Sequence, residues 1–143
     1  MTTPIPLDDA LDGAALRQVF AAASAHLREC ASSVDAINVY PVPDGDTGSN
    51  MSATLREAVD RALALEGSPS VPAVLSSIAR GALYGARGNS GVILSQALRG
   101  FAAGVGERER LDGHALAEGL VQAGVQAYRA VRKPKEGTML TVL

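Results

Sequence analysis

Asn38-Val39-Tyr40-Pro41-Val42-Pro43-Asp44-Gly45-Asp46-Thr47-Gly48-Ser49-Asn50-Met51 is the stretch on which the reading of this chain turns. Pro41 and Pro43 make residues 38–43 a poor ladder strand and a poor helix, and Gly45 and Gly48 punctuate the residues beyond them. The segment reads as a loop, so the periodic stretches on its two sides are separate elements. Upstream, Leu16, Val19, Phe20, Ala23 and Leu27 recur at i, i+3, i+4, i+7 spacing and predict a helix over 13–36, with Asp12 as N-cap. Val34 and Ile37 extend that face. Downstream, Met51, Leu55, Ala58, Val59 and Ala62 share one face of a second helix over 50–65, which Gly67-Ser68-Pro69 ends.

The same pattern continues along the chain. Ser70 as N-cap and Pro72 in the first turn start a third helix that turns Val74, Leu75, Ile78, Ala79, Ala82 and Leu83 inward and stops near Gly85. A fourth begins at 88–91 and runs to about 103. Val92, Ile93, Leu94, Ala97, Leu98 and Phe101 cover most of its circumference, which predicts the most buried helix of the set. Asp112 caps a fifth, with Leu116, Leu120, Ala123, Ala127 and Val131 on one stripe and Lys133-Pro134 as its stop. Residues 137–143 read as the opening of a sixth. No alternating apolar and polar run of strand length occurs, so the expectation is a single all-α domain over 1–143.

Composition narrows the function classes. Hydrophobic residues make up 47% of the 143-residue chain, enough for one core. With a net charge of -2, no Trp, two Phe and three Tyr, it has neither the basic footprint nor the stacking aromatics of a nucleic-acid binder. Cys30 is the only cysteine, which excludes an internal disulfide and a cysteine-built zinc site. The first twelve residues carry no basic patch or apolar run, and no stretch reaches the ~18 apolar residues of a membrane span. A cytoplasmic location is expected.

Two loops carry candidate chemistry. Asp44 and Asp46, separated by one glycine, would repel by roughly 4 kcal/mol at ~4 Å and an effective dielectric of about 20. A hard dication removes that penalty, and Mg²⁺ binds through one or two carboxylates while keeping water and phosphate oxygens in its shell. Gly48-Ser49-Asn50 comes next, at the opening of a helix, where free amides and the positive dipole end favour an anion. The loop is not an EF-hand, because the sixth and twelfth positions from Asp44 are Ser49 and Leu55. Read alone, Asp44-Gly45-Asp46 is equally a surface turn.

The second loop, Gly85-Ala86-Arg87-Gly88-Asn89-Ser90-Gly91, also lies between two helices. Its glycines permit close backbone approach to a phosphate, with Asn89 and Ser90 as donors. Its alternative reading is a helix corner whose glycines serve tight packing. Neither loop is a P-loop or a dinucleotide fingerprint. Arg87 suits either a transferring phosphoryl group or a helix-end carboxylate. His26, His114 and Cys30 lie on helix patterns away from both loops and read as structural or surface residues.

Residues 38–51 and 85–96 and the run Lys133-Pro134-Lys135-Glu136-Gly137-Thr138 together resemble the N-terminal domain of the ATP-binding subunit of bacterial fatty acid kinase, within the dihydroxyacetone kinase L-type superfamily. The resemblance spans essentially the whole chain in order and spacing. It implies an up-and-down barrel of helices with ATP among the loops at one end. It implies Mg²⁺ on Asp44 and Asp46, with Asn38 as a further metal ligand where the dihydroxyacetone kinase branch has aspartate at a spacing different by one residue. Asp44, Asp46 and Thr47 are then the catalytic residues. Asn38, Gly48, Ser49, Asn50, Met51, Arg87, Asn89, Ser90, Gly91 and Thr138 are the nucleotide-binding set. Thr141 stands where that branch tends to have aspartate.

The implied reaction transfers the γ-phosphoryl group of Mg·ATP to a fatty-acid carboxylate presented by a separate fatty-acid-binding protein. A dihydroxyacetone kinase subunit, a nucleotide-binding module without turnover and a phosphohydrolase are the alternatives. The family domain continues through further helices and a glycine-rich loop over the adenine, so the chain is expected to be part of a longer polypeptide. Homodimerisation is among the expected assemblies.

Overall fold

The computed structural model describes residues 10–40 and 42–143; the first nine residues, and Pro41 of the first loop, lie outside the described residues. Six helices succeed one another: α1 Gly13–Ala36, α2 Thr47–Leu63, α3 Val71–Gly85, α4 Gly88–Val105, α5 Gly113–Arg129 and α6 Met139–Val142. Among the described residues there is no strand, only an isolated antiparallel bridge between Leu11 and Leu111. The three expected caps are in place. Asp12 accepts from the Ala15 amide at 2.8 Å, Ser70 from Ala73 at 3.2 Å and Asp112 from Ala115 at 2.8 Å. Each satisfies one of the orphan N–H groups of a first helical turn, a contribution of about 1 kcal/mol.

Each helix packs on the next, and α2 also meets α4 while α1 meets α3. α1 and α5 do not pack on each other, so the array of helices is open along that side. The centre of the core is α2 and α3: Leu55, Ala58, Val59 and Ala62 face Val74, Leu75, Ile78 and Ala82, all buried. Arg17 of α1 reaches across to the end of α2 and donates to the Leu65 carbonyl at 2.9 Å and the Ala62 carbonyl at 3.4 Å. It thereby supplies a cation and two donors where the helix leaves its carbonyls unpaired.

Three parts of the sequence expectation need correction. α4 buries seven residues, more than any other helix, but on a face other than the expected one: Val92 is 45% exposed, and the buried residues are mainly small, Ser90, Gly91, Ser95, Ala97 and Gly100, with Phe101 and Val105. On α5 only the first half of the expected stripe is displaced by one position. Leu116 and Leu120 are 41% and 55% exposed, whereas Ala115 and Gly119 are buried; Ala123 and Ala127 are buried as expected. Val19 on α1 and Leu83 on α3 likewise face outward.

The cause on α4 and α5 is a backbone-to-backbone seam between them. A Cβ on Gly104 would sit 2.6 Å from the Glu118 carbonyl oxygen, and one on Gly119 would sit 2.8 Å from the Phe101 ring. Helices this close bury their small-residue faces and turn the large aliphatics aside. Arg108 closes the end of the seam, donating to the Gly104 carbonyl at 3.0 Å and to Glu118 at 2.5 Å.

Candidate functional site

The loop between α1 and α2 is organised by one side chain. Asn38 Oδ1 accepts from the amides of Asp46 and Thr47, both at 3.1 Å, and from Thr47 Oγ1 at 2.6 Å, while its Nδ2 donates to the Val42 carbonyl at 3.2 Å. Asn38 is therefore a clasp that holds the α2 entrance, with its oxygen occupied by three donors. Within the clasped loop Gly45 has φ 66°, a left-handed conformation that favours glycine, and so places an aspartate on each side of a tight turn. Contact with the Asp46 carboxylate pushes Asp44 above the usual carboxylate value, and partial desolvation adds to the effect. No ion pair to Asp44 or Asp46 occurs among the described residues. The pair faces itself without a protein cation.

The amides that open α2 are already engaged. Asn38 takes that of Thr47, and Asp35, in the last turn of α1, takes that of Ser49 at 3.0 Å together with Ser49 Oγ at 2.5 Å. These contacts, with a weaker one from Gly48, hold the Asp35 carboxyl below the usual range. The hydroxyl protons of Thr47, expected among the catalytic residues, and of Ser49, expected in the nucleotide-binding set, are thus given to protein oxygens. Gly48 is a glycine because a Cβ there would strike the Ala31 carbonyl of α1.

The second loop docks directly on the first turns of α2. Ser90 Oγ, buried, donates to the Thr47 carbonyl at 3.1 Å. The Arg87 amide donates to Thr54 Oγ1 at 3.1 Å, and that hydroxyl, fully buried, donates in turn to the Asn50 carbonyl at 2.8 Å. Gly88, at φ 64°, passes against the Asn50 side chain, and a Cβ on Gly91 would lie 2.5 Å from Thr54 Oγ1. These two glycines answer to helix packing, the alternative that the sequence left open. The Arg87 and Asn89 side chains remain at least partly exposed at the start of α4, and Met51 is half-buried. Arg87 has no ion pair among the described residues.

The third segment comes alongside the first loop, where Lys135 Nζ lies 5.2 Å from the Tyr40 ring centroid. Thr138 caps α6: its hydroxyl donates to the Lys135 carbonyl at 2.7 Å and accepts from Leu140 N–H. Thr141 ties the same turn, accepting from the Gly137 amide at 2.9 Å and donating to Glu136 at 2.8 Å. The second and third segments are thus each linked to the first, through Ser90 with Thr47 and Lys135 with Tyr40. Two surface grooves of about 440 and 520 Å³ lie between α3 and α4 and between α4 and α5, and no residue of the first two loops lines either.

Two residues of the site escaped the sequence reading. Asp35 is an acid at a helix C-terminus, where the dipole disfavours it, and that mismatch signals a partner outside its own helix. Thr54 is a hydroxyl inserted in the apolar face of α2, and a buried hydroxyl needs an explanation beyond packing.

The donor set fits a small divalent cation. Two adjacent carboxylates without a protein counter-charge leave room for water and phosphate oxygens, and no group of three or more His, Cys, Asp or Glu gathers anywhere among the described residues. No helix among the described residues is long and apolar enough to cross a membrane.

The DAK2 domain profile matches residues 41–143. Protein YloV of Bacillus subtilis (strain 168) is 45% identical over 133 residues, covering 92% of this chain and 24% of that protein. An uncharacterized protein of Staphylococcus aureus (strain USA300) is 49% identical over 121 residues, 82% of this chain and 21% of the relative. The chain spans roughly a quarter of the length of these curated relatives. A helical chain matched over most of its length, with its aspartate- and glycine-bearing loops bound to one another around the start of α2, belongs to the DAK2 domain family, the L-type dihydroxyacetone kinase domain.

Proposed function

We propose that this chain binds Mg·ATP at the entrance to α2 and contributes the nucleotide site of a kinase whose acceptor is a fatty-acid carboxylate brought by a separate binding protein. The supporting observation is the uncompensated Asp44–Asp46 pair on a loop that Asn38 holds rigid. Asp44 and Asp46 hold the cation. A bound Mg²⁺ supplies charge neutralisation on the phosphate oxygens and orients them.

The remaining residues position. Asn38 fixes the backbone of Asp46 and Thr47, and the Ser90–Thr47 and Arg87–Thr54 bonds hold the second loop against the first. Arg87, at the edge of this junction and without an ion pair among the described residues, offers a guanidinium to the transferring phosphoryl group. In the transfer a carboxylate oxygen of the acceptor forms a bond to the γ-phosphorus as the bond to the bridging oxygen breaks, and the electron pair leaves with ADP. An ionised acceptor needs no general base, so catalysis is positioning and electrostatics.

The fatty-acid acceptor rests on the family resemblance of the three segments. Because the chain spans about a quarter of its relatives, a nucleotide-binding module that turns over only with the rest of a longer polypeptide is the second reading.

Calorimetric titration of ATP with and without Mg²⁺ into the wild type and Asp44→Ala tests the site. The variant is expected to lose the Mg²⁺-dependent part of binding. Unchanged affinity would remove Asp44 from the site and the kinase reading with it. Adding fatty acid on its carrier protein, or dihydroxyacetone, and monitoring ADP release distinguishes the acceptors.

A further inference from the structure

The hydrogen bonds of Ser49 assign its oxygen a task different from that of a phosphate donor. Both of its protons point back into α1: the amide reaches Asp35 Oδ1 at 3.0 Å and the hydroxyl reaches Asp35 Oδ2 at 2.5 Å. A hydroxyl has one proton and two lone pairs. With the proton committed to an ionised carboxylate, Ser49 Oγ offers only lone pairs to its outer side.

Ser49 is the third residue of α2 and Asp46 is the N-cap, so the two share the first turn; Asp46 makes no side-chain cap bond and its carboxylate stays available. Thr47 Oγ1 also gives its proton away, but to the neutral Asn38 oxygen rather than to a carboxylate, which leaves Ser49 Oγ the stronger acceptor of the two. We propose that Asp35 is a positioning residue that fixes Ser49 Oγ as an acceptor beside the Asp44–Asp46 turn, so that this oxygen serves the divalent cation or its bound water. The phosphates are then left to other donors. This rests on the nucleotide reading above and adds the Asp35–Ser49 pair to it.

The test uses the full-length protein and a nonhydrolysable ATP analogue, with binding measured calorimetrically at stepped Mg²⁺. Two quantities are separated, the Mg²⁺ concentration for half-maximal binding and the analogue affinity at saturating Mg²⁺. Asp35→Asn turns an amide donor toward Ser49 and is expected to raise the Mg²⁺ requirement about 10- to 100-fold, the usual effect of losing an outer-shell partner, with little change in affinity at saturation. Ser49→Cys is expected to raise it similarly, and Mn²⁺ or Cd²⁺ to recover binding because the sulfur is soft.

Ser49 is exposed, so that variant carries the test should Asp35→Asn unfold. Wild-type Mg²⁺ dependence in both variants, beside an Asp44→Ala protein that has lost it, overturns the role of Asp35 and Ser49 alone. Mg²⁺-independent binding by the wild type removes the nucleotide reading and this assignment together.

Discussion

Replacing Thr54 by valine isolates the contact that joins the two loops. The side chain is fully buried and its hydroxyl accepts from the Arg87 amide at 3.1 Å while donating to the Asn50 carbonyl at 2.8 Å. Valine keeps the branched shape. The Asn50 carbonyl retains its place in the helical ladder, so the loss falls on Arg87 N–H, which is stranded against apolar surface at a cost of about 1–3 kcal/mol. For a domain of this size that corresponds to a fall in Tm of roughly 3–10 °C. Urea unfolding should show a lower midpoint at unchanged slope, and hydrogen exchange should show the Arg87 amide opening more readily than its helical neighbours.

Thr54→Ser is the control. It forfeits a methyl group, about 1 kcal/mol, but keeps the acceptor and the protection of Arg87. A Thr54→Val protein with wild-type stability and a protected Arg87 amide would refute the claim that this hydroxyl pins the second loop.

Gly119→Ala forces a Cβ to within 2.8 Å of the Phe101 ring and 3.1 Å of Val105. Overpacking of about 1–3 kcal/mol outweighs the helix-propensity gain of up to ~1 kcal/mol, so denaturant unfolding should show a net loss, and a stabilised variant would contradict the seam. Acid should weaken the fold through Asp35. Its folded pKa lies below the usual 3.8 because of Ser49, so its contribution is complete above that value and disappears as pH falls through the folded pKa. Asp35→Asn should flatten this acid limb of a urea-midpoint titration, and an unchanged limb would contradict the assignment.

Helix boundaries were legible where caps and breakers mark them; α2, whose N-cap Asp46 makes no side-chain cap bond, begins at Thr47 rather than at residue 50. Asp12, Ser70 and Asp112 each hold the amide that their position implies. Which face a helix buries was legible only where large residues decide it, as on α2. On α4 and α5 the determinant is the approach of two backbones, a property of the pair Gly104 and Glu118, or Gly119 and Phe101, that neither helix displays alone. The site divides in the same way. The loops carrying Asp44 and Ser90 stood out by composition, whereas the partners of Asn38, Ser49 and Thr54 lie 8, 14 and 33 residues away along the chain. Distance along the chain hid the fact that several apparent phosphate donors are already engaged by the protein itself.

The glycine seam has a mechanical corollary. Two rods in contact along their spines cannot slide or roll past one another without steric collision, so α4 and α5 move as a single plank. Any displacement of the α2 entrance relative to that plank then passes through individual side-chain contacts, among them the Ser90 hydroxyl on the Thr47 carbonyl.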